Sequence, residues 1–376
     1  MSASLGWSRS VLTGAVTVQS ILSLVASPII GIATDRYGPR LVMATGATIA
    51  AICYLALGQI TEPWQLYVLY AIAVACGLTA AGPLVTETTV AKWFVRQRGR
   101  ALAITAMGID FGSIFVGPLT AVLAEALGWR LTWPLLGVLV ALVLFPVAIA
   151  FMRLPRAPAD GAGPNDAQRK EAASTERSWT AKEALRDGSL WKLILAFNLT
   201  SAAASALIYH LAAFFVDSGL TLQQASIALA INRTFAIGSK LIWGFLAERM
   251  PVRYCLAGNC VGRAMGFLIL LLGSGPERAY VFAVVGGLSG NAFGPLQIQI
   301  LADYYGGANL GAIRGMLAPF TTTTGLLGPL LAAVVRDVTG SYEAAFWIFT
   351  STLLFSAAVT ILARPPRPTT TSRVAS

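Results

Sequence analysis

The residues that could do chemistry are few, and they sit in unusual surroundings. Arg233 lies about eleven residues into an apolar run, roughly 16 Å along it at 1.5 Å per helical residue. Lys240 follows seven residues later, on the same helical face and about 10 Å further on, with Ser239 beside it. Asp110 interrupts another apolar run within Gly108-Ile109-Asp110-Phe111-Gly112. Charges in such stretches are expensive, and by default they are functional. A buried charge also needs a partner, so the reading pairs Asp110 with Arg233. Guanidinium suits bidentate recognition of a carboxylate. The chemistry expected of Arg233 is therefore capture of an anion, with Asp110 as its partner in the empty state and as a proton carrier. Lys240 is a second candidate for anion binding, or a cation that extends toward water. His210 is the only histidine and follows Tyr209; both are candidates for the same site, His210 as a proton relay or hydrogen-bond donor. Asn198, Asn232, Gln297 and Gln299 complete the polar residues that could line a cavity. Arg263, in mid-run, has no evident partner.

These residues must be positioned by membrane helices. The chain has 376 residues, of which 56% are hydrophobic and 12% charged, with mean hydropathy +0.69. That leaves too little polar surface for a soluble protein. A span needs about 20 apolar residues, and eleven such runs are expected. They cover about 11–34, 41–60, 65–91, 100–127, 131–152, 190–216, 222–247, 253–274, 279–302, 312–336 and 343–363, which makes the chain an all-α polytopic membrane protein. The net charge of +10 does not indicate nucleic acid, because the basic residues fall in alternate loops. Arg36 and Arg40 lie on one side, with Lys92 to Arg100, the segment from Arg153 to Lys192, Arg249 and Arg253, Arg314 and the tail. That bias marks the cytoplasmic side and places the C-terminus inside; the expected location is the bacterial cell (inner) membrane. The four cysteines have neither metal spacing nor a disulfide framework. No nucleotide-binding loop, nucleophile–base pair or metal cluster is visible, so neither an enzyme nor a cofactor or metal is expected.

The chain divides into residues 1–152, a helical bundle of five spans; 153–188, a cytoplasmic linker; 189–363, a six-helix bundle; and 364–376, a disordered tail. The linker is rich in Pro, Ala, Gly and charge. Near its end Thr180-Ala181-Lys182-Glu183 has a capping-box pattern that predicts a short surface helix. The two bundles carry an internal repeat. Gly31-Ile-Ala-Thr-Asp35-Arg36-Tyr-Gly38-Pro39-Arg40 has a degenerate copy in Gly244-Phe-Leu-Ala-Glu248-Arg249-Met-Pro251-Val-Arg253. Gly117-Pro118 with Ala121 answers Gly328-Pro329 with Ala332, and Gly82-Pro83 answers Gly294-Pro295. One span precedes the second copy's helix and none precedes the first's, so the design reads as six plus six, with the first helix missing and the start codon misplaced.

The Gly31–Arg40 loop resembles the signature of the major facilitator superfamily. Further stretches resemble its monocarboxylate-transporter and oxalate/formate-antiporter branch: Gly6-Trp7-Ser8-Arg9-Ser10, Lys92-Trp93-Phe94 through Arg98-Gly99, Tyr209-His210-Leu211, and Asp337 through Phe346. The resemblance implies the major facilitator fold, two pseudo-symmetric helical bundles with twelve spans where eleven are counted here. It implies a cytoplasmic gate at Gly31, Asp35, Arg36, Gly38, Arg40, Glu248 and Arg249. Asp35 would latch against a helix N-terminus, where a carboxylate is favoured, and Arg36 and Arg40 would pair across the cytoplasmic face. Glu87 is expected to pair with the loop arginines. The implied function is secondary transport of a small organic anion, a mono- or dicarboxylate, by alternating access with proton coupling or anion exchange. A monomer is expected, with the lipid bilayer and the anion as its partners. The alternatives are a transporter of a neutral or cationic compound of the drug-efflux type, and a truncated, non-transporting membrane protein.

Overall fold

In a computed structural model, which describes residues 5–154, 179–273, 275 and 277–366, every regular element is a helix. Helix α1 spans Arg9–Tyr37 and α2 Pro39–Leu57. Helix α3 runs from Pro63–Ala71 through a wider π-helical stretch, Ile72–Leu78, to Thr79–Ala81. Helices α4 (Pro83–Trp93), α5 (Arg98–Leu127) and α6 (Trp129–Phe151) follow. After the short α7 (Ala181–Ala184) come α8 (Gly188–Asp217), α9 (Leu222–Leu246), α10 (Val252–Leu272), α11 (Glu277–Gly290), α12 (Phe293–Tyr305), α13 (Leu310–Thr339) and α14 (Glu343–Leu362).

The helices form ten apolar paths that are long enough to cross a membrane, α3 with α4 and α11 with α12 each making one. The eleventh expected span, α9, is 25 residues long, about 37 Å at 1.5 Å per residue. It is absent from the ten. Arg233 and Lys240 lie within it, and these charges dilute its apolar character. Both compound paths break where the repeat places Gly-Pro: α3 ends before Gly82-Pro83, and α11 ends just before Gly294-Pro295. The missing proline N–H and the ring clash interrupt the ladder there.

Within each half the helices pack against their own neighbours, α2 on α6 in the first, α10 on α14 and α8 on α13 in the second. The main contacts between the halves are α1 with α13 and α5 with α9, and α12 also touches α5 and α4, as α13 touches α4. The repeat is unequal in one respect. In the second half Gly328 lies against the Ala202 backbone of α8, whereas its counterpart Gly117 on α5 meets nothing within 4 Å among the described residues.

Part of the expected linker and of the tail lies outside the described residues. What is described matches the capping-box reading. Thr180 accepts from the Glu183 N–H, and the Glu183 carboxylate accepts from the Thr180 N–H. The helix that follows, α7, is anchored by Trp179 N–H on the Tyr305 carbonyl (2.9 Å) and by the Tyr305 hydroxyl on Asp187 (2.7 Å).

Candidate functional site: an interface closed on one face and cations at mid-depth

The Gly31–Arg40 motif ends α1 and turns into α2. Gly38 makes that turn with φ +84°, a backbone conformation that glycine adopts without steric cost. In the second copy α9 stops early, at Leu246, and Glu248-Arg249-Met250 form the turn. Pro251 then sits at φ −55°, the value its ring prefers. A proline can therefore stand there in place of the motif glycine.

Around this motif face the two halves touch backbone to backbone. A Cβ on Gly31 would lie 2.1 Å from the Gly311 carbonyl oxygen, and one on Gly99 would lie 2.2 Å from that of Gly244. Such approach is what glycine on both partners permits. The polar contacts follow the same pseudo-symmetry. Asp35, at the end of α1, accepts from the Gly311 and Ala312 N–H groups at the start of α13 (3.2 and 2.6 Å) and from Lys92 Nζ (2.6 Å). Glu248, beyond α9, accepts from the Arg100 N–H near the start of α5 (3.1 Å) and from Arg100 Nε (2.8 Å). Each acid thus faces the positive end of a helix from the other half.

Further pairs cross the interface. Arg98 of α5, almost wholly buried, donates to Asp303 of α12 at 2.7 Å. Arg314 of α13 donates to Glu87 of α4 (2.8 Å), to the Thr88 hydroxyl (2.7 Å) and to the Leu84 carbonyl (3.1 Å). Beside it a cavity of about 210 Å³ is shared by both halves and lined by Gln297, Arg314, Ser27 and Thr79. Deepest of all, Lys240 of α9 pairs with Asp110 of α5 and donates to the Ala106 carbonyl (3.2 Å). These hydrogen bonds and ion pairs between the halves all lie between the motif face and Asp110. The part of α5 beyond Asp110 is largely exposed, Phe115 and Val122 included. The structure is closed at the motif face and unlatched at the other.

Several sequence expectations are met differently. Asp110 pairs with Lys240 and not with Arg233. Lys240 lies two helical turns nearer the motif face, where α5 and α9 still touch, and its long stem spans the gap. The expected pairing of Arg36 and Arg40 across the face does not form among the described residues. The acids of that interface are taken by Lys92, Arg98, Arg100 and Arg314, and Arg36 rests over its neighbour Tyr37 instead. Arg249 covers the Phe245 ring at 4.0 Å. Glu87 does pair with an arginine of the basic set, Arg314, but inside a helix and not in a loop. His210 bonds the Tyr342 hydroxyl (3.2 Å) and the Pro329 carbonyl (3.0 Å), both in its own half. Asn198 accepts from Thr324 (2.8 Å), which ties α8 to α13. Tyr209 is 72% exposed. Arg233 is exposed on α9, and no carboxylate among the described residues pairs with it. Sequence reasoning missed the inter-half roles of Arg98, Arg100 and Asp303 and the packing of Gly99 and Gly311. Gly99, two residues before Ala101, does stand in the repeat where Gly311 stands, and that correspondence was the available signal.

Comparisons with known proteins agree with this architecture. The chain is 26% identical over 340 residues to monocarboxylate transporter 11 of Homo sapiens, covering 88% of this chain and 69% of the relative. It is 25% identical over 377 residues to the oxalate:formate antiporter of Oxalobacter formigenes, covering 97% and 85%. It is also 23% identical over 368 residues to the class D tetracycline resistance protein of Salmonella ordonez, covering 94% and 87%. Among solved structures, the human organic anion transporter MFSD10 superposes with a TM-score of 0.72 at 19% identity, over 96% of this chain and 87% of that one. A family model described as Major Facilitator Superfamily matches residues 1–286. The repeat, the paired helical halves and this match together show that the chain, an integral multi-pass membrane protein and not an enzyme, belongs to the Major Facilitator Superfamily.

Proposed function

We propose that this chain moves a small organic anion, a mono- or dicarboxylate, by alternating access, coupled to protons or to a counter-anion. In this reading the motif face is cytoplasmic, the C-terminus lies inside, the membrane is the bacterial inner membrane and the working unit is the monomer. The observation that carries the reading is Arg233. It lies past Asp110–Lys240, the last tie between the halves, and it is a permanent cation without a carboxylate partner among the described residues. Arg98, Arg100, Lys240 and Arg314, which tie the two halves, each meet a carboxylate. A carboxylate substrate would supply the missing charge. Asp110–Lys240 then sits one step below the site, where protonation of Asp110 would release Lys240 and loosen α5 from α9. In this reading the coupling group lies between substrate and gate.

The test is uptake into proteoliposomes, wild type beside Arg233→Gln, against a panel of carboxylates. Each is run with an inward proton gradient and, separately, with preloaded counter-anion. Truncating one member of a desolvated charge pair costs about 2–5 kcal/mol, so uptake should fall at least about thirty-fold in the variant. Uptake that is indifferent to both the gradient and the substitution would reduce Arg233 to architecture. It would favour a neutral or cationic substrate, the reading that the likeness to a tetracycline resistance protein supports.

A further inference from the structure

A second arginine opens onto the same space as Arg233. A cavity of about 140 Å³ lies wholly within the second half, between α8, α9, α10 and α11, and its lining includes Arg233, Arg263, Asn232, Asn291, Leu229 and Phe282. Arg263 reaches it from α10 by passing over Gly290 of α11. A Cβ on Gly290 would meet the Arg263 Cβ and Cα at 3.1 and 3.3 Å, so the glycine keeps the crossing open. Arg263 Nη2 donates to the Gly290 carbonyl. Its Nε is enclosed and has no acceptor. No Asp or Glu lines the cavity.

Two guanidinium groups therefore share one cavity with no acid to neutralise them. The chain treats its other cations within the spans differently: Lys240 and Arg314 each meet a carboxylate. Arg233 is exposed on α9, but the enclosed Arg263 Nε has left water, which costs several kcal/mol unless a partner offsets it, and an arginine cannot shed its proton to escape that cost. A single carboxylate would satisfy one fork and leave the other unmatched. An anion with a carboxylate at each end would match both, since each guanidinium presents paired N–H donors to a planar carboxylate. The Asn232 and Asn291 amides, which already donate to backbone carbonyls of α11, keep acceptor oxygens for a substrate hydroxyl or water. The volume is well under the roughly 300–1,000 Å³ of drug-sized pockets, so the anion must be compact.

We infer that Arg263 is a second anion anchor, and that with Arg233 it selects a compact dicarboxylate over a monocarboxylate of equal length. This rests on the anion-transport reading above and names its substrate class.

The test measures binding to the full chain in nanodiscs by calorimetry. Oxalate, malonate and succinate are each compared with the monoacid of the same carbon count: acetate, propionate and butyrate. The wild type should bind the best diacid at least about tenfold more tightly than its monoacid, one charge-assisted contact being worth about 1.5–3 kcal/mol. Arg263→Gln should erase that preference while leaving monoacid affinity within about twofold, and Arg263→Lys should restore part of it. Arg233→Gln should weaken both classes. The wild-type comparison stands even if a variant fails to fold. Equal wild-type affinity for diacid and monoacid overturns the inference. So does an intact diacid preference in Arg263→Gln; if Arg233→Gln still loses binding, the transport reading survives. A wild type that binds no member of either class overturns both.

Discussion

Gly31→Leu should cut transport at least about tenfold while the protein still inserts and folds. The reason is the approach of α1 and α13 at the motif face, where even a Cβ on Gly31 would lie 2.1 Å from the Gly311 carbonyl oxygen. The obstructing atom is backbone, so no change of rotamer relieves it. The helices must part, which breaks the Asp35 contacts to the Gly311 and Ala312 N–H groups. Overpacking alone costs about 1–3 kcal/mol, and losing a carboxylate from a helix N-terminus adds about 0.3–2 kcal/mol. Together these shift the equilibrium against the closed face about tenfold or more. The opposite state, with the motif face parted, never uses this contact. Uptake should therefore fall at least about tenfold, and cysteines introduced along α13 near Arg314 should become reactive from the motif side. Gly238→Ala is the contrast, because a Cβ there meets nothing within 4 Å; uptake should stay near wild type. Normal uptake by Gly31→Leu would mean that the closed face is not an obligatory state.

The second large effect is expected at the deepest tie between the halves. Lys240→Met leaves Asp110 without its cation, and Asp110→Asn leaves Lys240 without its anion. Removing one member of a buried pair typically costs about 3–5 kcal/mol, because the remaining charge stays desolvated. Each single variant should lose most transport and lower the midpoint of thermal unfolding. The double variant Asp110→Asn/Lys240→Met removes both charges. Its stability should return to within about 1 kcal/mol of wild type, as replacement of a whole buried pair is often neutral, while coupling to the proton gradient stays lost. Recovered stability without recovered coupling separates a mechanistic pair from a merely structural one. If the double variant regains gradient-driven uptake, Asp110 is not the proton carrier.

The parts of this molecule that were legible in the sequence are those set by composition and by local rules. Apolar runs marked the helices and the Thr180/Glu183 box marked α7, while the family resemblance of the Asp35 motif implied a carboxylate beside a helix N-terminus. That last geometry is found, on α13. Partner choice across the halves was not legible. Depth along a helix suggested Asp110 with Arg233, but the helices converge toward the motif face, so contact is decided by how near a residue lies to that face. Lys240 is nearer and takes the acid. The arginines of the loops were readable as topology charges, yet Arg98 and Arg314 also hold the halves together from inside helices. Position relative to a loop does not reveal which side of a helix will meet a neighbour. Arg263 had no partner in the sequence because its setting depends on Gly290 of another helix.

The central claim is that a carboxylate at Arg233 drives the change of access. Its most direct test is a distance measurement across the unlatched side. Spin labels are placed at Val122→Cys on α5 and Ile227→Cys on α9, both largely exposed, with the four native cysteines Cys53, Cys76, Cys255 and Cys260 replaced. Pulsed electron resonance then reports the separation of the two helix ends with and without the carboxylate that is taken up best. The account predicts that the carboxylate shortens this distance in the Arg233 protein and leaves it unchanged in Arg233→Gln. The same shortening in both proteins, or none in either, would contradict it.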